Sequence, residues 1–142
     1  MDNKKTEKLT LLNQGETEYP RKPSQAKLET FINPAGENNY SVEFDTEEFT
    51  SLCPVTGQPD FARINIVYIP DKKCIESKSL KLYLFSYRNC KGFAEELINK
   101  IQDDLLSACN PRNIKVTGYF SIRGGIKITV STEYKKKERK NK

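Results

Sequence analysis

The chain has 142 residues, enough for one domain, with 36% hydrophobic residues, 30% charged residues and a formal net charge of +5. It contains no histidine, which excludes a Ser–His–Asp triad, a Cys–His dyad and any zinc site that needs histidine. It has no apolar run long enough to cross a membrane, and residues 1–5 lack the apolar stretch of a signal peptide, so we expect a cytoplasmic protein.

The first part of the chain predicts an irregular segment followed by two strands. Residues 1–39 combine prolines, glycines and scattered charges with little apolar periodicity, which predicts an irregular N-terminal segment. Apolar and polar residues alternate over 40–45 and again over 61–69, as in half-buried strands. Two prolines and a glycine between them indicate an ordered loop over 51–60, and residues 70–73 indicate a turn.

The middle of the chain predicts two helices. Residues 76–89 fit both the alternation of a strand and the apolar spacing of a helix. Length favours the helix, which Ser77 or Ser79 can cap. A second helix is predicted over 93–108, where apolar residues recur on one face.

The last part of the domain predicts a hairpin. Strands are predicted over 114–122 and 126–130, joined by a turn at 123–125. The order ββααββ over residues 40–134 is typical of an α+β domain, with both helices on one face of an antiparallel sheet. The edges of such a sheet stay open unless covered, so a homo-oligomer is expected.

The basic C-terminal tail, residues 135–142, carries six positive charges and one negative charge, which accounts for the whole net charge. A tail of this kind binds nucleic acid through phosphate charge, or is a solvated, disordered end. The second interpretation is favoured because charged termini are commonly frayed.

Four cysteines are candidate nucleophiles: Cys53, Cys74, Cys90 and Cys109. They form no C-x-x-C pair, so we predict no metal site. Cys53 lies in the predicted loop, seven residues before Asp60. A thiolate and a carboxylic acid suit attack on an electrophilic carbon, with protonation of the neighbouring atom. The alternative is a buried packing cysteine and an aspartate that caps a turn.

Basic residues occur at two further places where the backbone can help to bind an anion. Lys78 and Lys81 lie at a predicted helix start, and Arg123 precedes Gly124 in a predicted turn. Glu95 stands at the start of the second helix, where an acid is favoured by the helix dipole or can accept N–H groups of a purine-like ring. The structural alternatives are solvated lysines on an amphipathic helix for Lys78 and Lys81, and an ordinary hairpin turn for Arg123 and Gly124.

Four segments carry a family resemblance, of which the first two are specific: F-T-S-L-C-P-V-T-G-Q-P-D-F-A at 49–62, E-S-K-S-L-K-L-Y at 76–83, S-Y-R-N at 86–89 and R-G-G-I at 123–126. In this order they resemble the short, single-module form of the QueF family of 7-cyano-7-deazaguanine (preQ0) reductases. The resemblance implies a tunnelling fold (T-fold) whose subunits form rings that stack into an oligomeric barrel. It also implies NADPH-dependent reduction of preQ0 to its aminomethyl product, preQ1, on the path to queuosine in tRNA. Direct binding of nucleic acid is not required for that reaction.

The resemblance also implies roles for individual residues. Cys53 would attack the nitrile carbon to give a thioimide, and Asp60 would protonate the nitrogen. The substrate-binding positions would be Ile75, Glu76, Ser77, Ala94 and Glu95. The positions that bind the NADPH phosphates would be Lys78, Lys81, Arg123 and Gly124.

One position departs from the family pattern. The family usually has a histidine where this chain has Ala94. The alternative function is therefore a non-redox or impaired relative that captures preQ0 on Cys53 without hydride transfer. A related archaeal group adds ammonia to the nitrile, but lacks the lysine motif that is intact here at 76–81. A nucleic-acid module led by the tail is a third hypothesis.

Overall fold

The computed structural model describes residues 17–137. In chain order its strands and helices are β1 (Thr30–Ile32), β2 (Val42–Leu52), β3 (Pro59–Ile69), β4 (Lys73–Ile75), α1 (Ser77–Phe85), α2 (Ala94–Cys109), β5 (Asn113–Phe120) and β6 (Thr129–Lys135). Short 3₁₀ helices lie at Pro23–Gln25 and Ser86–Asn89. Among the described residues, no helix is long and apolar enough to span a membrane.

The main sheet is antiparallel, with the strand order β2-β3-β5-β6, and α1 and α2 pack on one of its faces. The predicted α+β class and the predicted ββααββ order are therefore confirmed for this sheet. Strand β3 buries alternate side chains, including Ile64, Ile66 and Tyr68, against the helices. Gly118 on β5 lets α2 approach closely, because an added Cβ would lie 2.5 Å from Ile98 Cδ1.

Strands β2 and β6 differ most from their predicted bounds, whereas the bounds of β3 and β5 differ by one or two residues at an end. Strand β2 was expected over 40–45, but it spans Val42–Leu52. A bulge between Thr46 and Phe49 shifts the alternation of apolar and polar residues, so the sequence pattern ends before the strand does. The last strand was expected over 126–130, whereas β6 begins only at Thr129. The turn at 123–125 is confirmed, since the backbone N–H groups of Arg123 and Ile126 each donate to the other's carbonyl.

A second, two-stranded sheet was not predicted. Strand β1 pairs antiparallel with β4, although the sequence indicated an irregular segment over 1–39 and a turn over 70–73. Strands of three residues are too short to show alternation, so only the long-range pairing reveals them. The apolar residues Leu9, Leu11 and Leu12 of the predicted segment lie outside the described residues.

Helix α1 confirms the helical interpretation of 76–89, but its cap is not a serine. Glu76 precedes the helix, and its carboxylate accepts the backbone N–H groups of Lys78 and Ser79, both at 2.7 Å. The Ser79 hydroxyl instead accepts the N–H of Glu29 at 3.0 Å and donates to the Glu76 carbonyl at 2.8 Å. The Glu76 carboxylate therefore caps this helix by accepting two of its free N–H groups, and the predicted cap at Ser77 or Ser79 is wrong.

Candidate active site

Cys53 lies immediately after β2, in the loop that leads to β3. Its N–H donates to the Gln58 carbonyl at 2.8 Å, and its carbonyl accepts the N–H of Gly57 at 2.9 Å. Gly57 has a φ of +72°, a value that favours glycine. The backbone of Cys53 is therefore held on both sides, and its partly exposed thiol has a defined position.

The Cys53 thiol is surrounded by hydrogen-bond donors. The Thr56 N–H points at Sγ, with the nitrogen 3.5 Å away. The pKa of Cys53 is lowered, mainly by hydrogen bonding from the Thr56 side chain and then from the N–H groups of Thr56 and Val55. The negative charge of Asp60 opposes this and raises the same pKa. These donors stabilise the Cys53 thiolate without a neighbouring histidine.

The other cysteines have different surroundings. Cys74 and Cys109 are buried, and burial raises the pKa of the Cys109 thiol to about 12. Cys90 is partly exposed, and burial of its thiol raises the pKa. Cys53 thus combines exposure with stabilisation of the thiolate, which is the form that attacks carbon. Residues 17–137 contain no cluster of three or more acidic or cysteine side chains that could hold a metal ion.

Asp60 is the second residue of β3 and lies opposite Ser51 of β2 in the ladder. Its carboxylate pairs with Arg123, whose Nε lies 2.9 Å from Oδ1. The same guanidinium donates to the Gln58 side-chain oxygen at 2.9 Å and to the Pro59 carbonyl. Arg123, which the resemblance implies as a phosphate ligand, is therefore held beside the implied proton donor. Gly124 follows it in the turn with a φ of +58°.

The start of α2 reaches the same end of the sheet. The Leu52 N–H donates to the Cys90 carbonyl at 2.9 Å, and the Gly92 N–H donates to the Leu52 carbonyl at 3.2 Å. These bonds join the loop before α2 to Leu52, the residue that precedes Cys53. Ala94 is half-buried against the core and Glu95 is exposed in the first turn of α2.

The second substrate-binding stretch lies elsewhere. The Ile75 N–H donates to the Tyr68 hydroxyl at 2.9 Å, which places Ile75 and the following Glu76 near the distal end of β3. Asp60 and Tyr68 are eight residues apart on β3, or about 26 Å of strand. A single chain therefore does not bring Ile75, Glu76 and Ser77 together with Cys53.

A cavity of about 480 Å³ lies between α1 and β2. Ser77 and Lys81 line it together with aromatic side chains that include Phe44, Phe49 and Phe85. Apolar side chains beside an exposed lysine suit a ring system that carries phosphate, and NADPH has this chemistry, although Asp45 and Glu48 also line the cavity and oppose a phosphate near them. Lys78, half-buried at the start of α1, is the neighbouring cation.

Two features of this site were not predicted from the sequence. The first is the hydrogen bonding of Thr56 to the Cys53 thiol, and the second is the hydrogen bond between the Leu52 N–H and the Cys90 carbonyl. A threonine three residues after Cys53 in a Pro-containing turn is a signal for the first feature. The second rests on a contact between distant segments, which no local pattern shows.

The antiparallel sheet with two helices on one face has the architecture of a T-fold, and a partly exposed cysteine with a lowered pKa lies at one end of it. A family model described as "QueF-like protein" matches residues 59–139. The chain belongs to this family.

Similar proteins have related names. An NADPH-dependent 7-cyano-7-deazaguanine reductase from Streptococcus thermophilus is 57% identical over 120 residues, which cover 84% of this chain and 74% of the relative. A protein of the same name from Bacteroides thetaiotaomicron is 53% identical over 128 residues, 90% of this chain and 84% of the relative. The crystal structure of an archaeosine synthase, QueF-like, in the apo form is 27% identical with a TM-score of 0.63, over 68% of this chain and 94% of that one.

Proposed function

We propose that the protein reduces the nitrile of preQ0 to the aminomethyl group of preQ1 with NADPH, in queuosine biosynthesis. The observation that carries this proposal is the partly exposed Cys53 thiol, whose pKa is lowered by N–H and hydroxyl donors in the loop that joins β2 to Asp60 of β3. The names of relatives that are 53–57% identical support the substrate and the cofactor. The reaction acts on a free base and requires no nucleic acid. The reduced thiols are consistent with a cytoplasmic location.

The first step is attack by the Cys53 thiolate on the nitrile carbon. A carbon–sulfur bond forms, one C–N π bond breaks, and the electron pair moves to nitrogen. Asp60 gives its proton to that nitrogen, and the product is a thioimide on Cys53. For this transfer Asp60 must hold a proton, so the bonds from Arg123 must be released or rearranged when substrate binds.

The second part of the reaction releases the thiol. NADPH, when bound beside Lys81, supplies hydride to the substrate carbon. The N–H groups of Val55 and Thr56 and the Thr56 hydroxyl stabilise the Cys53 thiolate before it attacks. Because the same thiolate is the leaving group later, these donors also stabilise the sulfur when the carbon–sulfur bond breaks. Two hydrides and two protons convert the nitrile to the neutral amine in total.

Two stretches of the chain are proposed to bind the substrate ring: Ala94 and Glu95 at the start of α2, and residues 75–77 at the start of α1. Glu95 offers an exposed carboxylate that can accept N–H groups of the deazaguanine ring. Ala94 offers only a methyl group there. Ile75, Glu76 and Ser77 supply the other edge, although the Glu76 carboxylate also caps α1 in this structure.

The separation of these stretches supports a homo-oligomer with sites between subunits. Cys53 and Glu76 lie toward opposite ends of β3, so one complete site needs Cys53 of one subunit and Glu76 of another. The edge strands β2 and β6 of the main sheet are open for pairing. Stacked rings of subunits meet both requirements.

A non-redox function is the second candidate, and Ala94 is the observation in its favour. It is not preferred, because the reductases are about twice as similar in sequence as the archaeosine synthase. Lys81 also lies beside an apolar cavity that suits a dinucleotide.

The test is to mix the purified protein with preQ0, with and without NADPH. Without NADPH, the intact mass should rise by the mass of preQ0. With NADPH, the nicotinamide absorbance should fall and preQ1 should form. Cys53→Ala should abolish both signals, and Cys90→Ala is the matched control that should keep both. An adduct without any NADPH oxidation would establish the non-redox alternative, and an adduct that persists in Cys53→Ala would refute the role of Cys53.

A further inference from the structure

Ser51 of β2 is a buried serine whose hydroxyl has no hydrogen-bond partner among the described residues. Its exposed fraction is 0%, so solvent does not satisfy the hydroxyl either. Folded proteins pair most buried polar side-chain atoms, because a buried hydroxyl without a hydrogen bond costs free energy. Residues 17–137 contain one other such atom, Oε1 of Gln102, but the amide nitrogen of that side chain donates to Thr132 at 3.2 Å. The Ser51 hydroxyl therefore has no structural role within the described part of the chain.

Ser51 stands directly opposite Asp60 in the antiparallel ladder between β2 and β3. Residues that are opposite each other point to the same face of a sheet, with Cβ atoms about 4.5–5.5 Å apart. This gap is short enough for a hydroxyl and a carboxyl group to form a hydrogen bond across it. The backbone of Asp60 is fixed, because its carbonyl accepts the Thr50 hydroxyl at 2.8 Å. Rotation of the side chains alone is therefore needed to bring the two groups together.

The Asp60 carboxylate is engaged by Arg123 in this structure, with Nε 2.9 Å from Oδ1. In the proposed reaction these bonds are released before Asp60 gives its proton to the substrate. An arginine only donates and carries a permanent charge, whereas a serine hydroxyl is neutral and both donates and accepts. A serine can therefore bond the carboxyl group both before and after the proton is transferred.

We propose that Ser51 is a positioning residue for Asp60, a role that rests on the proposed reductase function. Once Arg123 has released the carboxyl group, the Ser51 hydroxyl donates to one oxygen and the protonated oxygen faces the nitrile nitrogen. When the O–H bond of Asp60 breaks and the N–H bond forms, the electron pair stays on the carboxylate, and Ser51 stabilises this charge while keeping its own proton. The end of β2 is rigid enough for this role, because the N–H and the carbonyl of Leu52 are both bonded to the loop before α2.

Ser51→Ala tests this role, and the measurement is the rate of Cys53 adduct formation with preQ0, followed by intact mass after rapid quenching. At saturating preQ0 the rate should fall about 10- to 100-fold, as expected for one lost hydrogen bond to a charged group. The preQ0 concentration that gives half of the maximal rate should stay the same, because Ser51 acts on Asp60 and not on the ring. The midpoint of Cys53 alkylation against pH should also stay the same, since Thr56 and Val55 supply the donors to the thiolate.

Thermal unfolding separates this role from a structural one. Ser51→Ala removes a buried hydroxyl that has no partner, so the melting temperature of the variant should equal or exceed that of the unmodified chain. A slower reaction in a protein of equal or greater stability is the result that positioning predicts. The matched control is Ser86→Ala, at a buried serine whose hydroxyl already donates to the Tyr83 carbonyl. This control should form the adduct at the rate of the unmodified chain.

A second comparison removes the carboxyl group itself. In an Asp60→Asn background, Ser51→Ala should cause no further loss of rate, because Ser51 acts through that carboxyl group. An unchanged rate in Ser51→Ala, or the same loss with and without the Asp60 carboxyl group, would overturn the proposal. An equal loss of rate in Ser86→Ala would also overturn it, because the effect would then be general to buried serines. Absence of any adduct in the unmodified chain is a different result, which would refute the proposed function on which this role rests.

Discussion

The Arg123 guanidinium lies against the Asp60 carboxylate, with Nε 2.9 Å from Oδ1. This pair joins the residue proposed to protonate the substrate to one proposed to bind the NADPH phosphates. One guanidinium cannot fully serve a carboxylate and a phosphate at the same time. Binding of NADPH should therefore draw Arg123 away from Asp60 and leave the carboxyl group to the substrate.

Arg123→Gln tests this exchange. We expect the KM for NADPH to rise about tenfold or more, since a hydrogen bond to a charged group contributes about 1.5–3 kcal/mol. Formation of the Cys53 adduct without NADPH should persist. Arg112→Gln is the matched control, because Arg112 pairs with Asp71, a residue that does not line the cavity beside Lys81. If Arg123→Gln instead abolishes adduct formation and leaves the KM for NADPH unchanged, the prediction is wrong, and Arg123 acts only by positioning Asp60.

Thr56→Val tests how the thiolate is stabilised. The Thr56 hydroxyl is the largest cause of the lowered Cys53 pKa, and valine keeps the backbone N–H but removes that hydroxyl. The pKa should therefore rise, and at a pH below it a smaller fraction of Cys53 should be thiolate. The measurement is the alkylation rate of Cys53 against pH, followed by peptide mapping. The midpoint should move to higher pH in Thr56→Val and stay in place in Thr129→Val, a change at an exposed position on β6. An unchanged midpoint in Thr56→Val would assign the effect to the backbone donors alone.

Ala94→His tests the departure from the family pattern. In the proposed mechanism, capture of preQ0 needs Cys53, Asp60 and Glu95, whereas the later steps deliver further protons to nitrogen. A missing general acid typically costs about 10²–10⁴-fold in rate, or roughly 3–5 kcal/mol of barrier. We expect the replacement to speed NADPH oxidation far more than adduct formation. The comparison is between single-turnover adduct formation by mass spectrometry and steady-state NADPH oxidation. Equal effects on the two, or no effect on turnover, would show that Ala94 does not limit the reaction.

A mixing experiment tests whether each site is built from two subunits. Cys53→Ala and Glu76→Gln should each be inactive alone, and each keeps one half of the site intact. After the two are unfolded together and refolded, mixed oligomers should regain part of the NADPH oxidation rate, because some interfaces combine an intact Cys53 with an intact Glu76. Circular dichroism of Glu76→Gln should show folded protein, since one oxygen still caps α1. No regain of activity in mixtures that form oligomers, or full activity in a monomer, would refute the shared site.

Local patterns in the sequence determined the order of the strands and helices of the main sheet and the position of the Cys53–Asp60 loop. The alternation at Ile64, Ile66 and Tyr68 and the apolar stripe of α2 are periodic over short stretches, and each reports which face is buried. These patterns were sufficient for the ββααββ order. The segment from Cys53 to Asp60 is equally local, because a hairpin loop brings its ends together whatever the rest of the fold does.

Tertiary structure alone decided how distant segments meet. The pairing of Arg123 with Asp60 and the pairing of β1 with β4 both depend on long-range packing. No periodicity encodes such contacts, since they depend on where several elements pack at once. The separation of Glu76 from Cys53 is the clearest case. Both stand in specific motifs, yet their distance follows from the length of β3 and from the bond between Ile75 and Tyr68.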